Sequence, residues 1–509
     1  MTRPNFIIIS SDQQRGDCIG VEGRGVKTPN LDRMCQDGTR FSACITPSVV
    51  CQPARASILT GQLCRTHGVH DNGIDLDPET GERGFAGALA ADGYQTAFFG
   101  KAHFASFHAR HPTGSPECEL SSVEYGPDWF GPYMGFDHVE LMIGGHNWFE
   151  PQEPPRGLHF ERFFHADGRG KEKIAAYWAN GGDTKGAAQT WHSQLPMVWH
   201  NTPWTADRAI EWLRHGRDPG KPFCTWISFP DPHHPFDCPE PWSRLHDPAD
   251  ITLPENRSRD FENRPWWHRA AVENDPQGDP DAVKIRNEFS RVPPQSDDQL
   301  REIIANTFGQ ISLIDDNVGR ILNALAEAGI DDNTYVIYIS DHGDWLGDHG
   351  LILKGPMTYE GLLRVPMIVR GPGVPAGKVV AEPVSTLDIG PTLYDLSGAT
   401  ALLPQHGESL RPLIETDSAT RDFAMNEWEL LPNRVGVALS LRCVRTRTHK
   451  LTMDMRSGDG ELYDLENDPG EMTNVFDDTG YADIRQRLTG YLAQRPDDIG
   501  PNRTPVGPA

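Results

Sequence analysis

The sequence predicts an α/β fold: a large, mostly parallel sheet sandwiched by helices, with a smaller C-terminal α+β subdomain. Short apolar runs alternate with helical patterns over most of the chain, as in a parallel sheet covered on both faces. The run at 6–10 is continuously apolar, which is typical of a central strand buried on both faces. After about residue 420, short strands precede one terminal helix. We therefore predict a large domain over residues 1–420 and a small subdomain over residues 421–509 that completes the fold.

The individual elements follow in chain order. Strands are predicted over 6–10, 95–99, 223–229, 335–340 and 366–370. A long helix begins near Ser296, where Ser296 and Gln299 form a capping-box pattern, and ends near Gly329. A second helix over 389–396 ends at Gly398. The subdomain contains strands at 439–445 and 450–453 and a helix near 484–492.

Two segments, 105–205 and 240–295, are rich in loop-forming residues and have little periodicity, so we expect long excursions near the functional site. The last residues, rich in Pro and Asn, are expected to fray.

The composition excludes some partners. A formal net charge of -25 repels phosphate backbones, so nucleic acid is not expected as a partner. No apolar run approaches a membrane span, and the run at 6–9 is too short for a signal peptide. The nine cysteines are odd in number and scattered, which favours reduced thiols and a cytoplasmic location. Secretion by a route invisible in the sequence is the alternative.

The strongest motif is C-Q-P-A-R at 51–55, followed by T-G at 60–61. Pro53 suits the first turn of a helix, which puts Cys51 at the helix N-terminus, where unpaired N–H groups favour an anion. Arg55 lies one turn further on, so its guanidinium can reach the same anion. For a lone C-x-P, a buried cysteine before a helix would be the simpler interpretation.

Two polar pairs, Asp12-Gln13 and Asp341-His342, directly follow predicted strands. Open α/β sheets build their sites at the carboxyl ends of strands, so both pairs are expected there. Four such groups can hold a divalent cation. Taken singly, an Asp after a strand is more often a helix cap.

With these motifs the chain resembles the type I sulfatases of the alkaline phosphatase superfamily. The segments T-P-N-L-D at 28–32 and L-Y-D-L at 462–465 are similar to further segments of that family. The resemblance implies that a formylglycine-generating enzyme oxidises Cys51 to formylglycine, whose hydrate attacks sulfur. It also implies that the cation is held by Asp12, Gln13, Asp341, His342 and residue 51.

Further motifs match the family residue by residue. G-K-A-H at 100–103 implies that Lys101 holds a sulfate oxygen and that His103 contacts the diol. P-H-H-P at 232–235 implies that His233 faces the leaving-group oxygen. The family carries a Lys at the distance of Lys354 from its Asp-His pair, which implies that Lys354 contacts the same oxygen. Asn72 matches a polar substrate-binding position of the phosphonate-hydrolase branch. His233 and His234 could also form a metal pair, but we expect the flanking prolines to hold their rings apart.

The chain departs from the commonest sulfatase pattern at two positions, where Gln13 replaces an Asp and His342 replaces an Asn. The same variant is found in choline-sulfatase-like and phosphonate-monoester-hydrolase-like members. An imidazole is a poor ligand for Ca²⁺ and a good one for a transition metal. We therefore expect Mn²⁺ first and Ca²⁺ second.

The expected activity is hydrolysis of aryl or alkyl sulfate monoesters. A phosphonate monoester or phosphodiester hydrolase with the same nucleophile, or an enzyme with both activities, is the nearest alternative. A non-catalytic anion-binding protein and a metal-dependent phosphatase that uses the Cys51 thiolate also stay open. The oligomeric state is open, with a homodimer or homotetramer possible.

Overall fold

The computed structural model describes residues 3–144, 149–278, 280–419 and 421–508. Its strands are β1 (Asn5–Ser11), β2 (Thr39–Phe41), β3 (Cys44–Ile45), β4 (Gln95–Gly100), β5 (His138–Leu141), β6 (Phe223–Ser228), β7 (Thr334–Ser340), β8 (Arg364–Val365), β9 (Met367–Arg370), β10 (Lys378–Val380), β11 (Val384–Ser385), β12 (Phe423–Leu430), β13 (Leu439–Thr446), β14 (His449–Asp454) and β15 (Gly460–Asp464).

Its α-helices are α1 (Pro29–Asp37), α2 (Cys51–Thr60), α3 (Cys64–His67), α4 (Pro78–Glu82), α5 (Phe85–Ala91), α6 (His159–His165), α7 (Gly170–Trp178), α8 (Asn201–Glu211), α9 (Trp266–Glu273), α10 (Pro280–Ile285), α11 (Asp297–Glu327), α12 (Glu360–Leu363), α13 (Ile389–Ser397), α14 (Arg411–Thr416), α15 (Pro432–Val435) and α16 (Ala482–Leu492). Short 3₁₀ and π turns link several of them.

The main sheet has eight strands within the described residues, in the order β10-β2-β9-β7-β1-β6-β4-β5. The five strands from β7 to β5 run parallel, and β9 is antiparallel to both of its neighbours. The predicted mostly parallel sheet is confirmed, and the five predicted strands are β1, β4, β6, β7 and β9.

Strand β1 lies in the middle of the sheet and is buried along its whole length. Its alternate side chains enter two separate cores, with Phe6 and Ile8 on one face and Ile7 and Ile9 on the other. Helices α2, α5 and α13 pack against the first face, and α1, α8 and α11 pack against the second. This layering explains why β1 is apolar without alternation.

The longest helix, α11, begins as predicted. The Ser296 hydroxyl accepts a hydrogen bond from the Gln299 N–H, and the Gln299 side chain accepts one from the Ser296 N–H. Helix α13 ends at Gly398, whose φ of 79° is left-handed.

A four-stranded antiparallel sheet, β12-β13-β14-β15, and helix α16 form the C-terminal subdomain. The predicted presence of a subdomain is confirmed, and the boundary at residue 420 stays a prediction. Within the described ranges, none of the helices combines the length and apolar character needed to cross a membrane.

The prediction that the C-terminal residues fray is wrong for the described part of the tail. The Val506 N–H donates to the Gly73 carbonyl at 2.7 Å, and the Arg110 N–H donates to the Val506 carbonyl at 2.9 Å. Upstream, Arg503 pairs with Asp77 at 3.3 Å. The tail is ordered because its backbone groups find partners in two distant loops, which its own composition does not reveal.

Candidate active site

The candidate site lies at one edge of the main sheet, where four adjacent parallel strands end. In the order β7-β1-β6-β4, these strands are followed by Asp341, Asp12, His233 and Lys101. Because parallel strands present their carboxyl ends on the same side, residues more than 300 positions apart in sequence meet there. The edge is buried: Asp12 and Asp341 have no exposed surface.

Four side chains form a cluster that can hold a metal ion. One ligand atom from each of Asp12, Cys51, Asp341 and His342 lies within 4.8 Å of the others. Nδ1 of His342 lies 2.8 Å from the Gly343 carbonyl, so Nδ1 carries a proton and donates it there. Nε2 of His342 therefore turns towards the cluster and lies 3.0 Å from the Cys51 sulfur. This orientation is the one that a metal-ligating imidazole needs.

Cys51 is the first residue of α2, as the sequence predicts, and Val50 precedes the helix as its N-cap. Burial and the carboxylate of Asp12 oppose ionisation of the thiol, but the charges of Lys354, His342 and Lys101 outweigh them. The pKa of Cys51 is consequently lowered from its ordinary value. The helix N-terminus and the surrounding cations therefore favour a negative charge at position 51.

Arg55 is completely buried and directs its guanidinium at the two carboxylates of the cluster. Nε donates to Asp341 at 2.8 Å, and Nη2 donates to Asp12 at 3.3 Å. Nη1 donates to the Lys101 carbonyl and the Ser228 hydroxyl, both at 2.7 Å. Arg55 thus makes its hydrogen bonds to protein groups and fixes the positions of the carboxylates.

Lys101 lies beside the cluster, with Nζ 2.6 Å from an Asp12 oxygen. Burial raises the pKa of Asp12, but the charges of Lys101, Arg55 and His342 outweigh it and hold that pKa well below its ordinary value. Asp12 is therefore an anion at neutral pH, as a metal ligand must be.

His103 follows Lys101 in a loop held by a residue that the sequence did not reveal. The Glu117 carboxylate accepts hydrogen bonds from the backbone N–H groups of His103, Phe104 and Ala105. Burial raises the pKa of Glu117 to about 7. His103 has a left-handed φ of 54°, a strained conformation that these hydrogen bonds stabilise.

Lys354 connects the cluster to His233. Its Nζ lies 2.9 Å from the Cys51 sulfur, 3.1 Å from His342 Nε2 and 3.0 Å from His233 Nε2. Nδ1 of His233 lies 2.7 Å from the His234 carbonyl and must donate to it, so Nε2 is the acceptor for Lys354. Burial and the charge of Lys354 hold the pKa of His233 well below its ordinary value, so this imidazole is neutral.

The expectation that the rings of His233 and His234 diverge is wrong. The two rings are stacked, with centroids 4.3 Å apart and planes 24° apart. Hydrogen bonds hold them in this arrangement: Nδ1 of His233 donates to the His234 carbonyl, and Nδ1 of His234 lies 2.7 Å from the Gln189 side-chain oxygen. Of the two rings, that of His233 contacts Lys354 at the cluster.

Gln13 lies at the rim of the cluster in a left-handed conformation, with φ 68°. Its backbone N–H donates to Asp341 at 3.1 Å, and its side-chain Nε2 donates to Asp344 at 2.6 Å. Asp344 was not singled out from the sequence, although it lies only three residues beyond Asp341. Burial raises the pKa of Asp344 to about 6.

Asn72 lies outside α2 but contacts its first turn: the Asn72 side-chain oxygen accepts a hydrogen bond from the Gln52 N–H at 3.0 Å. It also borders a cavity of about 600 Å³ that opens from the cluster. The cavity walls come partly from the two predicted excursions and the C-terminal tail, and the lining includes Cys51, His103, His233, Lys354, Phe107, His108, Phe149, Phe289 and Pro508.

The fold and the site together define a hydrolase of the alkaline phosphatase superfamily. A family model described as sulfatase matches residues 4–399, and one described as the C-terminal part of N-sulphoglucosamine sulphohydrolase matches residues 347–498. The chain therefore belongs to the sulfatase family, and the relatives that are named sulfatases support a sulfuric ester hydrolase.

Similar proteins cover nearly the whole chain. The uncharacterized sulfatase YidJ of Escherichia coli (strain K12) is 30% identical over 98% of this chain and 88% of its own. The arylsulfatase of Clostridium perfringens (strain 13 / Type A) is 29% identical over 94% of this chain and 92% of its own. The phosphonate monoester hydrolase of Agrobacterium radiobacter, whose crystal structure is known, is 27% identical in sequence to this chain. The two structures have a TM-score of 0.75, and the match covers 98% of this chain and 97% of the other.

Proposed function

We propose that the protein hydrolyses sulfate monoesters of aryl or alkyl alcohols to the alcohol and inorganic sulfate. The observation that carries this proposal is the position of Cys51. It lies at the N-terminus of α2, within 4.8 Å of the ligand atoms of Asp12, Asp341 and His342, and 2.9 Å from Lys354. A tetrahedral anion at this place would meet a helix N-terminus and positive charge together.

The donor set fits a divalent metal ion. Asp12, Gln13, Asp341, His342 and residue 51 would hold it, and it would polarise the sulfate group and stabilise an attacking oxyanion. The inward-facing Nε2 of His342 favours a transition metal, so we propose Mn²⁺ first and Ca²⁺ second. Arg55 holds the carboxylates of Asp12 and Asp341 in position for that ion.

The proposed nucleophile is formylglycine at position 51, produced from Cys51 by a formylglycine-generating enzyme. Its hydrate would supply one hydroxyl to attack sulfur and a second from which the aldehyde is regenerated. We assign His103, which lines the same cavity, as the base that takes the proton of the second hydroxyl. Lys101, paired with Asp12, adds positive charge for a sulfate oxygen.

Lys354 and His233 form the proposed leaving-group pair. Since Nε2 of neutral His233 accepts a hydrogen bond from Lys354, the ammonium of Lys354 holds the proton closest to the departing oxygen. After Lys354 gives up that proton, His233 helps to hold its amine in place. Asn72 borders the same cavity and is proposed to contact the substrate.

The aromatic lining of the cavity supports a leaving alcohol that carries an organic group of moderate size. Phe107 and Phe149 have ring centroids 5.1 Å apart, and His108 meets Phe149 edge to face at 4.4 Å. These rings form an aromatic wall of the cavity that Lys354 and His233 also line. An aryl sulfate would stack on this wall, whereas a small alkyl sulfate would leave most of it uncovered.

A combined mass and activity measurement tests the proposal. The enzyme is produced with and without a formylglycine-generating enzyme, the peptide containing residue 51 is weighed, and 4-nitrophenyl sulfate hydrolysis is followed with added Mn²⁺. We expect turnover to rise in proportion to the aldehyde fraction at residue 51. Equal turnover by fully unmodified protein would favour the Cys51 thiolate instead, and tight sulfate binding without turnover would favour an anion-binding protein.

A phosphonate monoester or phosphodiester hydrolase is the second candidate. It is favoured by the likeness to the Agrobacterium radiobacter enzyme and by the Gln13 and His342 variant. The ratio of kcat/KM for 4-nitrophenyl sulfate to that for a 4-nitrophenyl phosphonate monoester separates the two. A ratio above one supports the sulfatase, and a ratio well below one supports the phosphonate hydrolase.

We further propose that the enzyme acts in the cytoplasm. Each of its nine cysteines is a buried free thiol, which supports a reducing compartment. Assembly into a homodimer or homotetramer stays a prediction, which a measurement of mass in solution would test.

A further inference from the structure

The amide of Gln13 has a defined orientation because its two ends contact different groups. Nε2 lies 2.6 Å from the Asp344 carboxylate, and only the NH₂ end of an amide can donate to a carboxylate. The opposite end, Oε1, lies 3.3 Å from Lys354 Nζ. That ammonium also contacts the sulfur of Cys51 and Nε2 of His342, so Oε1 faces the four-residue cluster.

Asp344 cannot easily release this hydrogen bond. Its other oxygen, Oδ1, accepts hydrogen bonds from the backbone N–H groups of Leu346 at 2.7 Å and Leu353 at 2.9 Å. The residue is almost completely buried. With Oδ1 held by two backbone donors, Oδ2 stays directed at Gln13. The loop that carries Asp344 therefore sets which end of the Gln13 amide reaches the cluster.

We propose that Asp344 is a positioning residue that makes Gln13 an oxygen ligand of the divalent cation. The inference rests on the metal site of the proposed function. An amide oxygen can coordinate a cation, whereas an amide NH₂ group has no free lone pair and repels one. Lys354 also favours the oxygen end, but its contact with Oε1 at 3.3 Å is longer than the hydrogen bond from Nε2 to Asp344 at 2.6 Å, so Asp344 is the stronger determinant of the orientation.

The first test is the affinity of metal-free protein for Mn²⁺, measured by equilibrium dialysis at pH 8 on the full chain. Asp344→Asn keeps an Oδ1 for the two backbone donors and turns an NH₂ group towards Gln13. The introduced NH₂ group then favours rotation of the Gln13 amide, which presents its NH₂ end to the cluster and to Lys354. We expect the Kd for Mn²⁺ to rise about 10-fold to 100-fold, the effect typical of losing a residue that orients a metal ligand.

The second test is rescue by Gln13→Glu. In the Asp344→Asn background, one oxygen of the new carboxylate can accept from the introduced amide NH₂ group while the other oxygen faces the cation. In the wild-type background, the new carboxylate meets that of Asp344 with no proton donor between them. We therefore expect Gln13→Glu to tighten Mn²⁺ binding at least 10-fold more in the Asp344→Asn background than in the wild-type background.

Each outcome decides the inference. Wild-type-like Mn²⁺ binding by Asp344→Asn, or the same effect of Gln13→Glu in both backgrounds, would overturn it. A purely structural role of Asp344 would lower the unfolding temperature of every metal-free Asp344→Asn variant and allow no rescue. If the wild-type chain binds neither Mn²⁺ nor Ca²⁺, the metal site of the proposed function fails first and this inference falls with it.

Discussion

The ammonium nitrogen of Lys354 lies 2.9 Å from the sulfur of Cys51, although the two residues are 303 positions apart in the chain. Lys354 belongs to the loop after β7, and Cys51 begins α2. The contact joins the proposed nucleophile position to the proposed leaving-group pair. A substrate bound beside this contact would have its attacked atom near residue 51 and its departing oxygen near Lys354.

Replacing Cys51 separates its chemical role from its structural role. Cys51→Ala removes one buried sulfur, so we expect the fold to persist and turnover of 4-nitrophenyl sulfate to fall by about 10³-fold or more. Cys51→Ser is expected to fold and bind Mn²⁺ but to turn over poorly, because a Ser ester needs water for a second attack. Circular dichroism, dialysis and steady-state rates check these points, and full activity of Cys51→Ser would contradict them.

His233 and His234 form a matched pair because their rings are stacked but only His233 contacts Lys354 among their described hydrogen bonds. We expect His233→Ala to lower kcat/KM about 100-fold for an alkyl sulfate and much less for 4-nitrophenyl sulfate, whose leaving group needs little protonation. His234→Ala should show no such dependence on the leaving group. Equal losses for both substrates in His233→Ala would remove His233 from the leaving-group pair.

The docked C-terminal tail is expected to affect binding of bulky substrates. Val506→Pro removes the N–H group that donates to Gly73, whereas Val506→Ala keeps it. Because Pro508 lines the cavity, we expect Val506→Pro to raise KM for a bulky aryl sulfate about fivefold, the effect of losing one hydrogen bond, with kcat nearly unchanged. Equal KM values for both variants would show that the tail does not shape the cavity.

The burial of Asp237 makes the free energy of unfolding depend on pH. Burial and the charge of Asp231 raise the pKa of Asp237 from 3.8 to about 8. The folded state thus favours the protonated carboxyl of Asp237. Its contribution to the free energy of unfolding is present at low pH and is lost as pH rises from about 4 to about 8. Each unit by which the pKa in the folded state exceeds that in the unfolded state corresponds to about 1.4 kcal/mol of free energy of unfolding.

Asp237→Asn removes this ionisation and keeps an oxygen for the hydrogen bond from Gln310. We expect the variant to gain stability over wild type as pH rises from 6 to 9, because only the wild type must bury a new charge. Unfolding midpoints at the two pH values provide the measurement. A difference between variant and wild type that is constant with pH would contradict the expected titration.

Local sequence signals predicted much of the fold and of the candidate site. The five predicted strands, the capping box at Ser296 and the glycine at the end of α13 depend on backbone preferences within a few residues. The motif at Cys51 and the polar residues after β1 and β7 were visible because strand ends in a parallel sheet share one edge. Their roles in catalysis and metal binding stay predictions.

The sequence by itself determined the class of fold, the family and the residue types that converge at the sheet edge. Only the tertiary structure decided that Asp344 accepts a hydrogen bond from Gln13, that the rings of His233 and His234 stack, and that the tail docks beside Gly73. The physical reason is the range of the interactions. Helix caps and apolar runs are set by neighbours in the chain. The hydrogen bonds of Asp344 and of the tail depend instead on which distant groups the packed layers bring within about 3 Å, and the stacking of the two rings depends on the same packing.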